Sequence, residues 1–124
     1  MLSSVEKWVI GSDKKPQFQI EEEGSGDLLP LYLLSGYGVV IFAPDGSELG
    51  KFGTGLTGFD STKVNVLDDN TFEVVLDKEL NTIEGYIYYK LYAAWSDSDY
   101  DDGDFNAYTE NRDVLYKSIR LNYA

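Results

Sequence analysis

The densest group of chemistry-bearing residues is the acidic run SDSDYDDGDFNAYTENRD, which ends at Asp113. Asp97, Asp99, Asp101, Asp102 and Asp104 cluster carboxylates of the kind that hard cations take as ligands. Calcium is the cofactor such a run would hold, with Asp97, Asp99, Asp101 and Asp104 as its ligand set. Set against an EF-hand loop, Asp97, Asp99 and Asp101 fill the first, third and fifth places. The sixth place holds Asp102 with Gly103 one residue late, and the twelfth holds Tyr108 instead of Glu. The incomplete match favours a solvated acidic loop over residues 96–113, with no cofactor required.

Other chemistries are narrowed by composition. The chain has no Cys and no His, which removes disulfides, thiolate nucleophiles, imidazole acid/base catalysis and the usual zinc, copper and haem ligands. Glycoside hydrolysis needs two carboxyl groups about 5 to 9.5 Å apart. No motif in this acidic chain selects such a pair, so the expectation is a protein that is not an enzyme. The glycine-rich GTGLTG, Gly53 to Gly58, lacks the Gly-Lys-Ser/Thr ending of a phosphate loop and reads as a plain loop.

With 10 basic and 22 acidic residues the net charge is -12. Phosphate binding rests on Lys and Arg, so nucleic acid and anionic membrane are disfavoured as partners. Proteins, cations and basic surfaces fit better. The first residues show no secretion signal, and no apolar run approaches the roughly 20 residues needed to span a bilayer, so a soluble protein made in a cytoplasm is expected.

The elements that position these residues read as strands. In Gly85 to Trp95, GYIYYKLYAAW, the odd positions Ile87, Tyr89, Leu91, Ala93 and Trp95 make one apolar face. Tyr86, Tyr88, Lys90 and Tyr92 make the other. Tyr86, Tyr88 and Tyr92 are the candidate interaction residues, for a protein more than for a sugar, because an aromatic stripe on a sheet is a flat apolar patch. Val5 to Ile10 and Lys15 to Glu22 read as strands, the second with Phe18 and Ile20 inward. Gly24 to Asp27 is a turn, and Leu28 to Leu34 is irregular because of Pro30.

Tyr37 to Phe42 and Ser47 to Phe52 flank Ala43-Pro44-Asp45-Gly46, a hairpin whose first arm is apolar on both faces and therefore central. Lys63 to Leu67 and Thr71 to Leu76 form a second hairpin, with Phe72, Val74 and Leu76 inward. Asp77 to Glu84 is either one helical turn or a crossing loop. Val114 to Tyr123 closes the chain antiparallel to Gly85 to Trp95, with Leu115, Ile119 and Leu121 sharing a face. About seven or eight short strands and no useful amphipathic helix predict an all-β, immunoglobulin-like antiparallel β-sandwich in one domain, 1–124. An up-and-down barrel is the structural alternative.

The order of short motifs carries a resemblance. Gly11-Ser12-Asp13-Lys14-Lys15-Pro16 precedes Phe18 and Ile20, and Leu34-Ser35-Gly36-Tyr37 opens a Val-rich strand. The Asp45-Gly46 turn and the Gly-aromatic strand Gly85 to Tyr89 follow. In this order they resemble the N-terminal immunoglobulin-like domain of tailed-phage baseplate upper proteins and related phage virion β-sandwich proteins. The resemblance implies a non-enzymatic structural component of a virion, associated with baseplate or tail or decorating the capsid. It implies docking onto larger virion proteins or copies of itself, with synthesis in the host cytoplasm. The alternative is a carbohydrate- or calcium-binding module that uses the Tyr face or the acidic loop.

Overall fold

The computed structural model describes residues 6–21, 26–100, 103–108 and 112–120, with the backbone alone for 104–106 and 108. The strands are β1 (Lys7–Val9), β2 (Gln17–Gln19), β3 (Gly36–Phe42), β4 (Glu48–Thr54), β5 (Val64–Val66), β6 (Thr71–Val74), β7 (Gly85–Ser96), β8 (Asp104–Tyr108) and β9 (Asp113–Ile119). One short 3-10 turn, Leu31–Leu33, interrupts the β2–β3 connection after Pro30.

The strands form two sheets. The larger runs β1-β9-β7-β3-β4, with β8 paired to the far end of β7, and the smaller runs β2-β6-β5. This is an all-β sandwich with immunoglobulin variable-type connectivity. Strands β2, β6 and β5 take the places of B, E and D, and β9, β7, β3 and β4 those of G, F, C and C′. One pairing departs from the expected antiparallel pattern: β1 runs parallel to β9, with Lys7 opposite Lys117. The stretch expected to be one loop over residues 96–113 contains a further strand, β8, which pairs with β7 from Tyr92 to Ser96.

The β3–β4 turn forms as its residues require. Asp45 accepts hydrogen bonds from the Ser47 hydroxyl at 2.7 Å and the Ser47 N–H at 2.9 Å. The Ser47 hydroxyl and then its N–H hold the Asp45 carboxyl below its ordinary pKa. Gly46 follows at φ 91°, a conformation that costs a side-chain-bearing residue. Both faces of β3 are buried along its whole length, as its two-sided apolar pattern predicts.

The core lies between the sheets. Phe72 on β6 is fully buried and meets Phe18 and Tyr37 with ring centroids at 5.5 and 5.1 Å. Phe18 also meets Tyr89 at 5.3 Å. That aromatic pair joins β2 to β7, the strands that antibody domains link with a disulfide. On β7, Ile87 and Ala93 are buried, and Tyr89, Leu91 and Trp95 pack half-buried against the same cluster, so the odd-numbered face points inward.

The closing strand differs from its sequence pattern. A bulge shifts the β7–β9 register so that Ile87 faces Tyr116 while Tyr88 faces Val114, leaving Leu115 between. Tyr116 and Ser118 are the buried pair, and Leu115 and Ile119 are only half-buried; Leu121 lies outside the described residues. Leu115 still packs against the core cluster, beside a buried polar node. Asn81, in the β6–β7 connection, accepts hydrogen bonds from the Tyr116 hydroxyl at 3.2 Å and the Ser118 hydroxyl at 2.9 Å. Its Nδ2 donates to the Val9 carbonyl at 2.9 Å, tying β1 to the same point. No helix forms over Asp77 to Glu84.

Trp8 stacks on Tyr116 with centroids 3.9 Å apart, and burial pushes the Tyr116 hydroxyl up to about 12. A raised folded-state value means that this contribution to stability is complete below the unfolded Tyr value of about 10 and declines as pH rises through the folded value. Unfolding by urea between pH 9 and about 12 is expected to show a loss of roughly 2–3 kcal/mol that Tyr116→Phe removes. An equal alkaline loss in Tyr116→Phe would assign the effect to other groups.

Candidate functional site

The outer face of the larger sheet gathers the residues best suited to recognition. The β7 ladder places Tyr86, Tyr88, Lys90 and Tyr92 on that face, opposite the inward set headed by Ile87. Their cross-strand partners continue it: Tyr88 faces Phe42 and Val114, Lys90 faces Val40, and Tyr92 faces Gly38. Tyr86 faces Lys117, which faces Lys7 in turn. Val40 faces Lys51 on β4.

The three Tyr residues differ in how far they are covered. Tyr86 is exposed at 42%, with the Lys117 ammonium 5.3 Å from its ring centroid. Tyr88 is half-buried. Tyr92 is half-buried and meets Phe59, from the β4–β5 connection, edge-on at 5.6 Å. Gly38 and Gly53 make room for that Phe ring, since a Cβ on Gly38 would come within 2.9 Å of it and one on Gly53 within 3.1 Å. Exposed Val114 stands beside Tyr88.

Cations stand over the aromatic rings. Arg112 lies 4.1 Å above the Phe42 ring and Lys51 lies 5.7 Å from Phe59, both within cation–π range. Lys7, Lys51, Lys90, Arg112 and Lys117 are five of the chain's ten basic residues, so half of the positive charge of a strongly acidic protein is placed on one sheet face. Glu48, 3.8 Å from the Lys51 ammonium, adds a counter-charge. Sequence alternation identified the Tyr set and Lys90. It missed Lys7, Lys51, Arg112 and Lys117, because they come from three other segments that only the sheet order brings alongside β7.

The acidic run is described only in part, because Asp101 and Asp102 and the Asp104 side chain lie outside the described residues. The Asp97 carboxylate accepts the Asp99 N–H at 3.0 Å, a local turn closed by the Asp97 N–H bonding to the Gly103 carbonyl at 2.9 Å. Asp104 opens β8 opposite Ser96. Among the described residues, no three His, Cys, Asp or Glu side chains form a group able to hold a metal, and no helix is long and apolar enough to cross a membrane.

Fold and face together define a class: an immunoglobulin-like sandwich with an aromatic, cationic face on its larger sheet. Compared with family models, curated proteins and solved structures, the chain matches none.

Proposed function

We propose that this chain is a non-enzymatic docking protein that binds another protein through the outer face of its β1-β9-β7-β3-β4 sheet. The observation that carries this reading is the juxtaposition of Tyr86, Tyr88 and Val114 with Lys90, Lys117 and Lys7 on one sheet. Tyr is among the residues that protein interfaces favour, whereas Lys is generally depleted there, so the Tyr residues supply the contact area and the lysines select a partner of opposite charge. The absence of His and Cys from the sequence fits a binding role.

The setting that the motif resemblance implies is a tailed-phage virion, with the chain docking onto larger baseplate, tail or capsid proteins. Sequencing the genes that flank its own tests that setting. Neighbouring portal, capsid or tail genes are the expected result, and a neighbourhood of metabolic enzymes would overturn the virion assignment.

A further inference from the structure

One end of the sandwich has the opposite character to the cationic face. Three connections meet there. The Leu31 N–H donates to the Asp69 carbonyl at 2.7 Å, joining the β2–β3 connection to the β5–β6 turn. The Ser35 N–H donates to the Ala94 carbonyl at 2.8 Å, placing the same connection beside the end of β7, where the Asp97 turn begins.

Large apolar and aromatic side chains are exposed at this end: Tyr32 at 73%, Leu33 at 61% and Leu67 at 46%. Asp69, on the β5–β6 turn, and Asp99, on the turn that follows β7, are exposed as well. The described segments 26–35, 66–71 and 96–100 contain no Lys or Arg. Isolated apolar residues on a surface are ordinary, but a cluster of them rimmed by one sign of charge marks a contact surface.

We infer that the acidic, apolar loop end of one copy of this chain docks on the cationic, aromatic sheet face of a second copy. The occupant is argued from charge. Lys90 and Lys117 meet Asp69 and Asp99, and Tyr86 and Tyr88 meet Tyr32, Leu33 and Leu67. The two surfaces differ, so the contact is heterologous: each copy offers an unused face and an unused end, and the assembly grows into a ring or a filament. Such self-docking rests on the sheet face being a protein-docking surface, and it names the partner.

A net charge of -12 also makes whole molecules repel. At about 0.15 M salt the screening length is about 8 Å, which mutes that long-range repulsion but spares pairs at contact, and at about 1 M it is about 3 Å.

Sedimentation equilibrium on the purified full chain tests this directly, with circular dichroism confirming the fold of each variant. From micromolar to near-millimolar protein at about 0.15 M salt, the weight-average mass is expected to at least double, and to fall back towards the monomer at about 1 M. The face variant Lys90→Glu/Lys117→Glu and the end variant Asp69→Lys/Asp99→Lys should each stay monomeric alone. Mixed in equal amounts they should associate, because the native end of the first meets the native face of the second. A wild-type chain that remains monomeric throughout overturns self-docking, as does an end variant that associates as wild type does. The virion setting is decided by flanking genes and not by mass, so the two can fail separately.

Discussion

Phe72→Ala is expected to destabilise the protein by about 3–5 kcal/mol, the range for removing a fully buried Phe side chain. Phe72 has no exposed surface and stands where β6 faces both Phe18 of β2 and Tyr37 of β3, so it contacts each sheet. Neither neighbour can close the gap readily. Phe18 is already engaged with Tyr89, and Tyr37 is fixed within a strand that is hydrogen-bonded on both sides. Native domains have a total stability of about 5–15 kcal/mol, so a large share would be lost. A thermal melt should show the midpoint lowered by roughly 10–20 °C. Phe72→Leu, which refills part of the volume, should recover about half of the loss. A shift of only a degree or two in Phe72→Ala would mean that the two sheets are not held together through this ring.

Asn81→Ala should cost about 2–5 kcal/mol, by a different route. Asn81 is 2% exposed and Ser118 fully buried. The substitution leaves the buried Tyr116 and Ser118 hydroxyls, and the partly buried Val9 carbonyl, without their partner. Each buried polar group left unpaired costs about 1–3 kcal/mol, reduced where a hydroxyl can rotate to another acceptor. The damage should be local as well as global. β1 is an edge strand of three residues, so amide exchange at Ile10 and Gly11, whose N–H groups bond to the Ile119 and Asn81 carbonyls, should accelerate more than exchange in β3. The double change Asn81→Ala/Ser118→Ala removes a donor together with its acceptor and should cost less than the sum of the two single changes.

These two residues show how differently parts of the fold can be read from the chain. Phe72 was legible: it alternates with Val74 beyond an Asp-Asp-Asn turn, a period-two pattern that points one set of side chains inward. Asn81 was not, because nothing local distinguishes a buried Asn from a turn Asn in DKELNTIE. Its role depends on Tyr116 and Ser118, more than thirty residues away in sequence. Which residues of β9 are buried was not legible for a related reason. Leu115, Ile119 and Leu121 look like the apolar stripe, but a bulge changes the phase of the strand and a polar partner accepts Ser118. The acidic run concealed β8 because its charge is typical of a loop. The backbone pairing of β8 to β7 needs only a neighbouring strand end with open hydrogen-bonding groups.

The sequence by itself determined the all-β class, the β3–β4 hairpin, the central place of β3 and the inward face of β7. It also excluded chemistries that need His or Cys. Each of these follows from side-chain type and spacing within about a dozen residues, the range over which alternation and turn chemistry act. Tertiary structure alone decided the parallel pairing of β1 with β9, the buried polar node at Asn81 and the assembly of the recognition face. Lys7, Lys51, Arg112 and Lys117 join Tyr86 and Lys90 because sheet order sets segments side by side that are distant in the chain. Charge on a folded surface is a property of neighbours in space. A net charge of -12 therefore gave no sign that half of the cations would share one face.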